Sequence, residues 1–73
     1  MNSQTLLVYA LVERIKPLLA GHAPEVQGAV LADLVAIWLA GHMIEGNAEA
    51  TREMRAALLA IHSSMVRQLT EIN

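Results

Sequence analysis

Two histidine–glutamate pairs with the same spacing are the residues of this chain best suited to bind a metal ion. His22 precedes Glu25 by three positions, and His42 precedes Glu45 by three. Residues three apart share one face of a helix, so each pair could supply two ligands. His22 lies in a predicted turn, however, and the two pairs fall at opposite ends of an up-down-up bundle. We therefore expect no bound cofactor or metal, with metal or small-ligand binding at His42 and Glu45 across a dimer as an alternative.

The residues needed for nucleophilic catalysis are not arranged to work together. Ser63 and Ser64 directly follow His62, but neighbouring side chains on a helix point about 100° apart. Glu13 and Asp33 fall on different predicted helices and form no carboxylate dyad. The chain has no cysteine and its four glycines are scattered, so neither thiolate chemistry nor a glycine-rich phosphate loop is expected. The sequence therefore predicts a protein that is not an enzyme.

Hydrophobic spacing predicts three helices within one domain that spans residues 1–73. Pro17 removes a backbone donor inside the first pattern, which predicts a kink there or an early end. Gly21 and Gly46 are suited to end helices, and Asn47 is suited to cap the third. Short connections favour antiparallel neighbours, so the expected topology is up-down-up. The predicted helices cover about residues 4–20, 24–45 and 48–72.

The second predicted helix has no polar side. Between Gly28 and Ile44 only Asp33 and His42 are strongly polar, and at about 100° per residue they point in opposite directions. A helix that is apolar on every side must be buried on every side. With 73 residues, of which 55% are hydrophobic, one chain has too little material to cover it. We therefore expect an all-α, three-helix unit that assembles as an intertwined or face-to-face homodimeric bundle.

Small residues follow one narrow strip of the second helix, which we call the alanine strip: Ala29, Asp33, Ala36 and Ala40. Because the distance between packed helices depends on the side chains at the contact, small residues allow a close approach. We expect this strip to face a second copy of the chain; the alternative is that it lies under the first helix. The bulky residues on the other side, expected to form the core within one chain, are Leu31, Leu34, Val35 and Trp38.

The third predicted helix is clearly amphipathic, and two of its apolar residues lie off the main apolar stripe. Leu59 and Val66 are seven positions apart on one flank, which indicates a second contact surface. If Asp33 is covered at the interface, it needs an arginine or another donor across that interface, since an unpaired buried charge is costly. The predicted interface residues are Ala29, Asp33, Ala36, Ala40, Leu59 and Val66.

The net charge and the amino-terminal residues indicate which classes of partner and which cellular location to expect. The net charge of −2 offers no field that would gather nucleic acid, and Asp33 near the middle of the apolar segment disfavours membrane insertion. A degenerate helix-turn-helix around Gly21 is an alternative, although its reading helix would carry no Arg or Lys. No basic residue precedes the apolar run that starts at Leu6, so secretion is not expected. We expect a cytoplasmic, self-associating protein that works as an assembly, adaptor or regulatory subunit, with another protein as a further partner.

Overall fold

The computed structural model describes residues 2–73 and contains, over that range, three α-helices and no β-strand. Helix α1 spans Ser3–Leu19, α2 spans Pro24–Ala40 and α3 spans Ala48–Ile72. The prediction of an all-α chain with three helices is confirmed. The dimeric bundle and the up-down-up order stay predictions.

Two asparagines begin helices by accepting a backbone N–H with the side chain. Asn2 Oδ1 accepts from the amide of Thr5 at 2.8 Å, and Asn47 Oδ1 accepts from the amide of Ala50 at 2.9 Å. Each bond satisfies one of the donors that a helix start leaves without an intrahelical partner. The cap at Asn47 is the one that the sequence predicts.

Helix α1 continues through Pro17 and ends two residues later, at Leu19. The early end considered at Pro17 is therefore wrong. The amide of Ala20 still donates to the carbonyl of Lys16 at 3.1 Å, so the last turn stays closed beyond the proline. Gly21 then takes a φ of 82°, a conformation that side chains with a Cβ rarely adopt, and turns the chain towards α2.

Helix α2 ends at Ala40, five residues before the end predicted at Glu45. The carbonyls of Ile37 and Leu39 still accept from the amides of Gly41 and His42, whereas the carbonyl of Ala40 is bound by α3. Arg55 donates from Nε to the carbonyl of His42 at 2.9 Å and from Nη2 to the carbonyl of Ala40 at 3.0 Å. The apolar pattern continues past Ala40, so hydrophobic periodicity alone does not reveal this end, although Gly41 follows directly.

The described chain forms two compact units, and the boundary between them falls inside α2, after Leu31. The first unit holds α1 and the beginning of α2. There Gln27 Nε2 donates to the carbonyl of Leu19 at 2.8 Å and so satisfies one of the last acceptors of α1. The second unit begins at Ala32 and holds the rest of α2 and all of α3. The prediction of a single domain over residues 1–73 stays a prediction.

Neither unit contains a buried apolar side chain among residues 2–73. The one buried residue is Thr51, with 6% of its surface exposed. Over the same range, 22 large apolar side chains are exposed, from 39% for Val30 to 78% for Ile72. No helix within residues 2–73 combines the length and the apolarity needed to cross a bilayer. The helices are therefore formed and capped, but a hydrophobic core is not.

Replacing Thr51 by Val should lower the free energy of unfolding by about 1–3 kcal/mol. The Thr51 hydroxyl accepts from the amide of Ile44 at 3.0 Å, and valine would leave that amide without its acceptor. Thr70→Val is the matched control, because the Thr70 hydroxyl is exposed and only donates to the carbonyl of Val66. We expect the control to change stability by no more than about 0.5 kcal/mol. Urea unfolding at one protein concentration measures the free energy of unfolding of both variants. An equal loss in the two variants would contradict a special role for Thr51.

Candidate interaction surfaces

Thr51 fixes the connection between α2 and α3. Its Oγ1 accepts from the amide of Ile44 at 3.0 Å and lies 2.9 Å from the carbonyl of Asn47 and 3.2 Å from that of Ile44. A hydroxyl has one proton, which the two carbonyls share while the oxygen accepts from the amide. A single side chain thus holds both sides of the turn that contains Gly46, where φ is 75°.

Trp38 packs between two histidines in the second unit. The ring of His42 meets the indole edge on, at a centroid distance of 5.5 Å, and the ring of His62 lies tilted at 5.4 Å. The contact with His42 is the one that the spacing of four residues allows. The structure thus brings His42 and His62 against the same indole. The sequence gives little sign of this contact, because His62 is 24 positions beyond Trp38.

The ring of His42 is held in one orientation by the backbone. Its Nδ1 lies 2.8 Å from the carbonyl of Trp38. A carbonyl can only accept a hydrogen bond, so Nδ1 carries the proton and Nε2 of the neutral ring is left as an acceptor. This arrangement orients an imidazole for packing against the indole.

The alternative of a metal or ligand site at His42 and Glu45 assumed one helical face, and that assumption is wrong. Because α2 ends at Ala40, both residues lie in the connection to α3. Over residues 2–73 there is no group of three or more His, Cys, Asp or Glu side chains placed to hold a metal ion. His22, the other histidine of such a pair, lies exposed in the turn between α1 and α2.

The alanine strip lies on the exposed side of α2. Ala29, Asp33, Ala36 and Ala40 are all exposed, whereas Val35 and Leu39, on a different side of the helix, are half-buried. The strip is thus available to a partner, and its role as an interface stays a prediction. Of the bulky residues expected in the core, none is buried; the exposed ones are Leu31, Leu34 and Trp38.

The second predicted surface, on α3, is also open. Leu59 and Val66 are both exposed, on the flank where the sequence places them. The main apolar stripe of α3 is covered only near its start. Its first members, Met54 and Leu58, are half-buried, and the exposed remainder consists of Ile61, Met65, Leu69 and Ile72.

Charged groups contribute little to holding the described residues together. Over residues 2–73 the one ion pair joins Lys16 to Glu13 at 2.9 Å, and both side chains are largely exposed. Such pairs are worth about 0–1 kcal/mol. Asp33, in contrast, forms no hydrogen bond or ion pair within residues 2–73. Its carboxylate stands alone on an otherwise apolar part of α2.

An open depression of about 470 Å³ lies beside the connection from α2 to α3. Met43, Ile44 and Asn47 line it on one side and Arg52 on the other. Two of its polar side chains, Thr51 and Arg55, are already bonded to backbone carbonyls.

Sequence reasoning missed the two residues that shape this part of the molecule, Thr51 and Arg55. They are four positions apart at the edge of the apolar stripe of α3, so both face the side where α2 must pack. That spacing is a usable signal, but only when one also asks which groups satisfy the last carbonyls of α2.

Comparison of the chain with protein-family models, with curated proteins and with solved structures gives no match.

Replacing His62 by Ala should shift the fluorescence of Trp38 to longer wavelength. Trp38 is the one tryptophan of the chain, so the emission reports on the surroundings of this indole. Removing the imidazole at 5.4 Å lets water reach that side of the indole. His22→Ala is the control, since His22 is an exposed histidine in the turn between α1 and α2, and it should leave the spectrum unchanged. An unshifted spectrum for His62→Ala would contradict the contact.

Proposed function

We propose that this chain is a non-enzymatic helical subunit that self-associates, as a dimer in the simplest case, and acts as an assembly, adaptor or regulatory protein through its apolar helix faces. The observation that carries the proposal is the lack of any buried apolar side chain in residues 2–73, together with the 22 large exposed ones. Exposed apolar patches of this extent mark interaction surfaces.

Conformational entropy is the first argument for association. Ordering the backbone costs about 1–2 kcal/mol per residue, and burial of apolar surface normally offsets that cost at about 25 cal/mol per Å². Because residues 2–73 bury no apolar side chain fully, they have less to set against this loss than a domain with a packed core. The helical structure therefore needs further apolar burial, which a partner can supply.

The exposed area gives the scale of that burial. A folded monomer of 7.9 kDa is expected to expose about 4,400 Å². This chain exposes 6233 Å², which is about 1,800 Å² more. If two copies cover that excess on each other, the buried total is about 3,600 Å², within the range of obligate homodimers.

A second copy is the partner that these properties favour. Most soluble oligomers contain identical chains, and a two-fold dimer is their commonest form. The net charge of −2 per chain sets up only weak repulsion between copies. The packing of His42 and His62 against Trp38 supports the non-enzymatic part of the proposal, because it gives two of the three histidines a structural use.

Light scattering over a dilution series tests the proposal directly. We expect a mass of about 16 kDa, twice the 7.9 kDa of one chain, at micromolar concentration. On dilution, mass and helical circular dichroism should fall together, because a separated copy lacks a core. A sample that keeps its helical signal at the mass of one chain, at every concentration, would refute self-association.

Replacing Ala36 by Glu should weaken the dimer. The new carboxylate would be desolvated in the predicted contact at a cost of about 2 kcal/mol or more, which corresponds to a rise in Kd of about 30-fold. Ala60→Glu is the matched control: Ala60 is also an exposed helical alanine, but it lies on the polar side of α3. Sedimentation of both variants decides the matter. An Ala36→Glu protein that associates like the control would remove the alanine strip from the interface.

A further inference from the structure

We infer that α1 of one copy packs on the outer face of α2 of a second copy, and that Arg14 of the first pairs with Asp33 of the second. The outer face of α2 is defined here as Val26, Val30, Asp33 and Ile37. The inference rests on the proposed self-association and names the surfaces and the ion pair that would carry it.

The outer face of α2 is an apolar surface with one charge in it. Its four residues are spaced by four, three and four positions, so they share one side of the helix. Val26, Val30 and Ile37 are all exposed, and Ile37 is the most exposed of the three. Asp33 lies between them and is exposed as well. The face adjoins the alanine strip, because Asp33 belongs to both.

Covering this face without a cation would be unfavourable. A carboxylate removed from water loses its hydration and needs an opposite charge with hydrogen bonds in return. Asp33 has no such partner within residues 2–73. A surface that covers the outer face of α2 must therefore bring a positive group to the position of Asp33.

Arg14 is the cation of this chain that meets the requirement. Of the five basic residues, Arg55 is bonded to two carbonyls and Lys16 is paired with a glutamate three positions before it. Arg67 lies on the polar side of α3, and Arg52, on the flank of Leu59, lines the depression beside the connection from α2 to α3. Arg14 remains, and it lies on a helix whose own apolar face is open.

The apolar face of α1 is defined here as Leu7, Leu11, Ile15 and Leu18. All four residues are exposed and share one side of the helix. Arg14 lies at the edge of that face, three positions after Leu11 and four before Leu18. Each face thus presents apolar side chains and one charge, and the two charges are opposite.

The chemistry of the pair suits an interface between helices. The planar guanidinium of Arg14 can donate two parallel hydrogen bonds to the carboxylate of Asp33. These bonds would attract the two helices to each other and fix the register of α1 along α2. In a two-fold dimer the same contact occurs twice, since each copy supplies one α1 and one α2. The two pairs would neutralise four charges that otherwise border apolar surface.

Charge reversal tests the pair. Arg14→Asp and Asp33→Arg should each raise the dimer Kd at least about tenfold, because each places two like charges opposite each other at both sites. The double variant restores opposite charges and should recover most of the wild-type Kd. Arg67→Asp, on the polar side of α3, is the control and should leave Kd within about twofold of wild type. If the double variant instead raises Kd by the product of the two single-variant factors, the pairing is refuted.

Cross-linking shows whether the pair joins two copies. The chain has no cysteine, so Arg14→Cys and Asp33→Cys proteins can be mixed and treated with a short bismaleimide. We expect a covalent species of twice the chain mass on a denaturing gel, and none from Arg67→Cys mixed with Asp33→Cys. If wild type self-associates but neither recovery nor cross-linking occurs, this pair is refuted and the proposed function stands. If wild type is a folded monomer, the proposed function itself fails.

Discussion

The main physical constraint on this protein is the large apolar surface that a single chain leaves exposed to solvent. Thr51 is the one buried residue of the described chain, and its hydroxyl serves the backbone of a turn. Most domains offset the entropy of folding with a packed interior. In our proposal that interior lies between copies, so folding and assembly form one equilibrium whose position depends on protein concentration.

Local signals in the sequence predict most of the helical framework. Pro24 at the start of α2 and Asn47 before α3 lie where proline and asparagine are favoured, and both helices begin there. The end predicted for α2 at Glu45 is wrong because it follows the apolar pattern and gives no weight to Gly41, directly after Ala40. Arg55 reaches back 15 positions to the carbonyl of Ala40, whereas the hydrophobic pattern continues past it.

Residue spacing within one helix was enough to predict which residues share a side of that helix, but not which helices contact each other. The spacing of Ala29, Asp33 and Ala36 defines a side of α2, and the structure leaves that side exposed. The expected core on the opposite side is not buried within one chain, which agrees with the shortage of material that the chain length indicates for covering α2. The contact between Trp38 and His62 joins two helices, and periodicity within one helix carries no information about it.

The contacts at the connection between α2 and α3 have a kinetic consequence. They join residues 7, 13 and 15 positions apart, so the loops that must close are short. Short loops cost little entropy and close within about 100 ns, far sooner than two dilute chains meet. The connection that Thr51 holds and its contact with Arg55 are thus suited to form first on each newly made chain, before the slower encounter between two copies that our proposal requires.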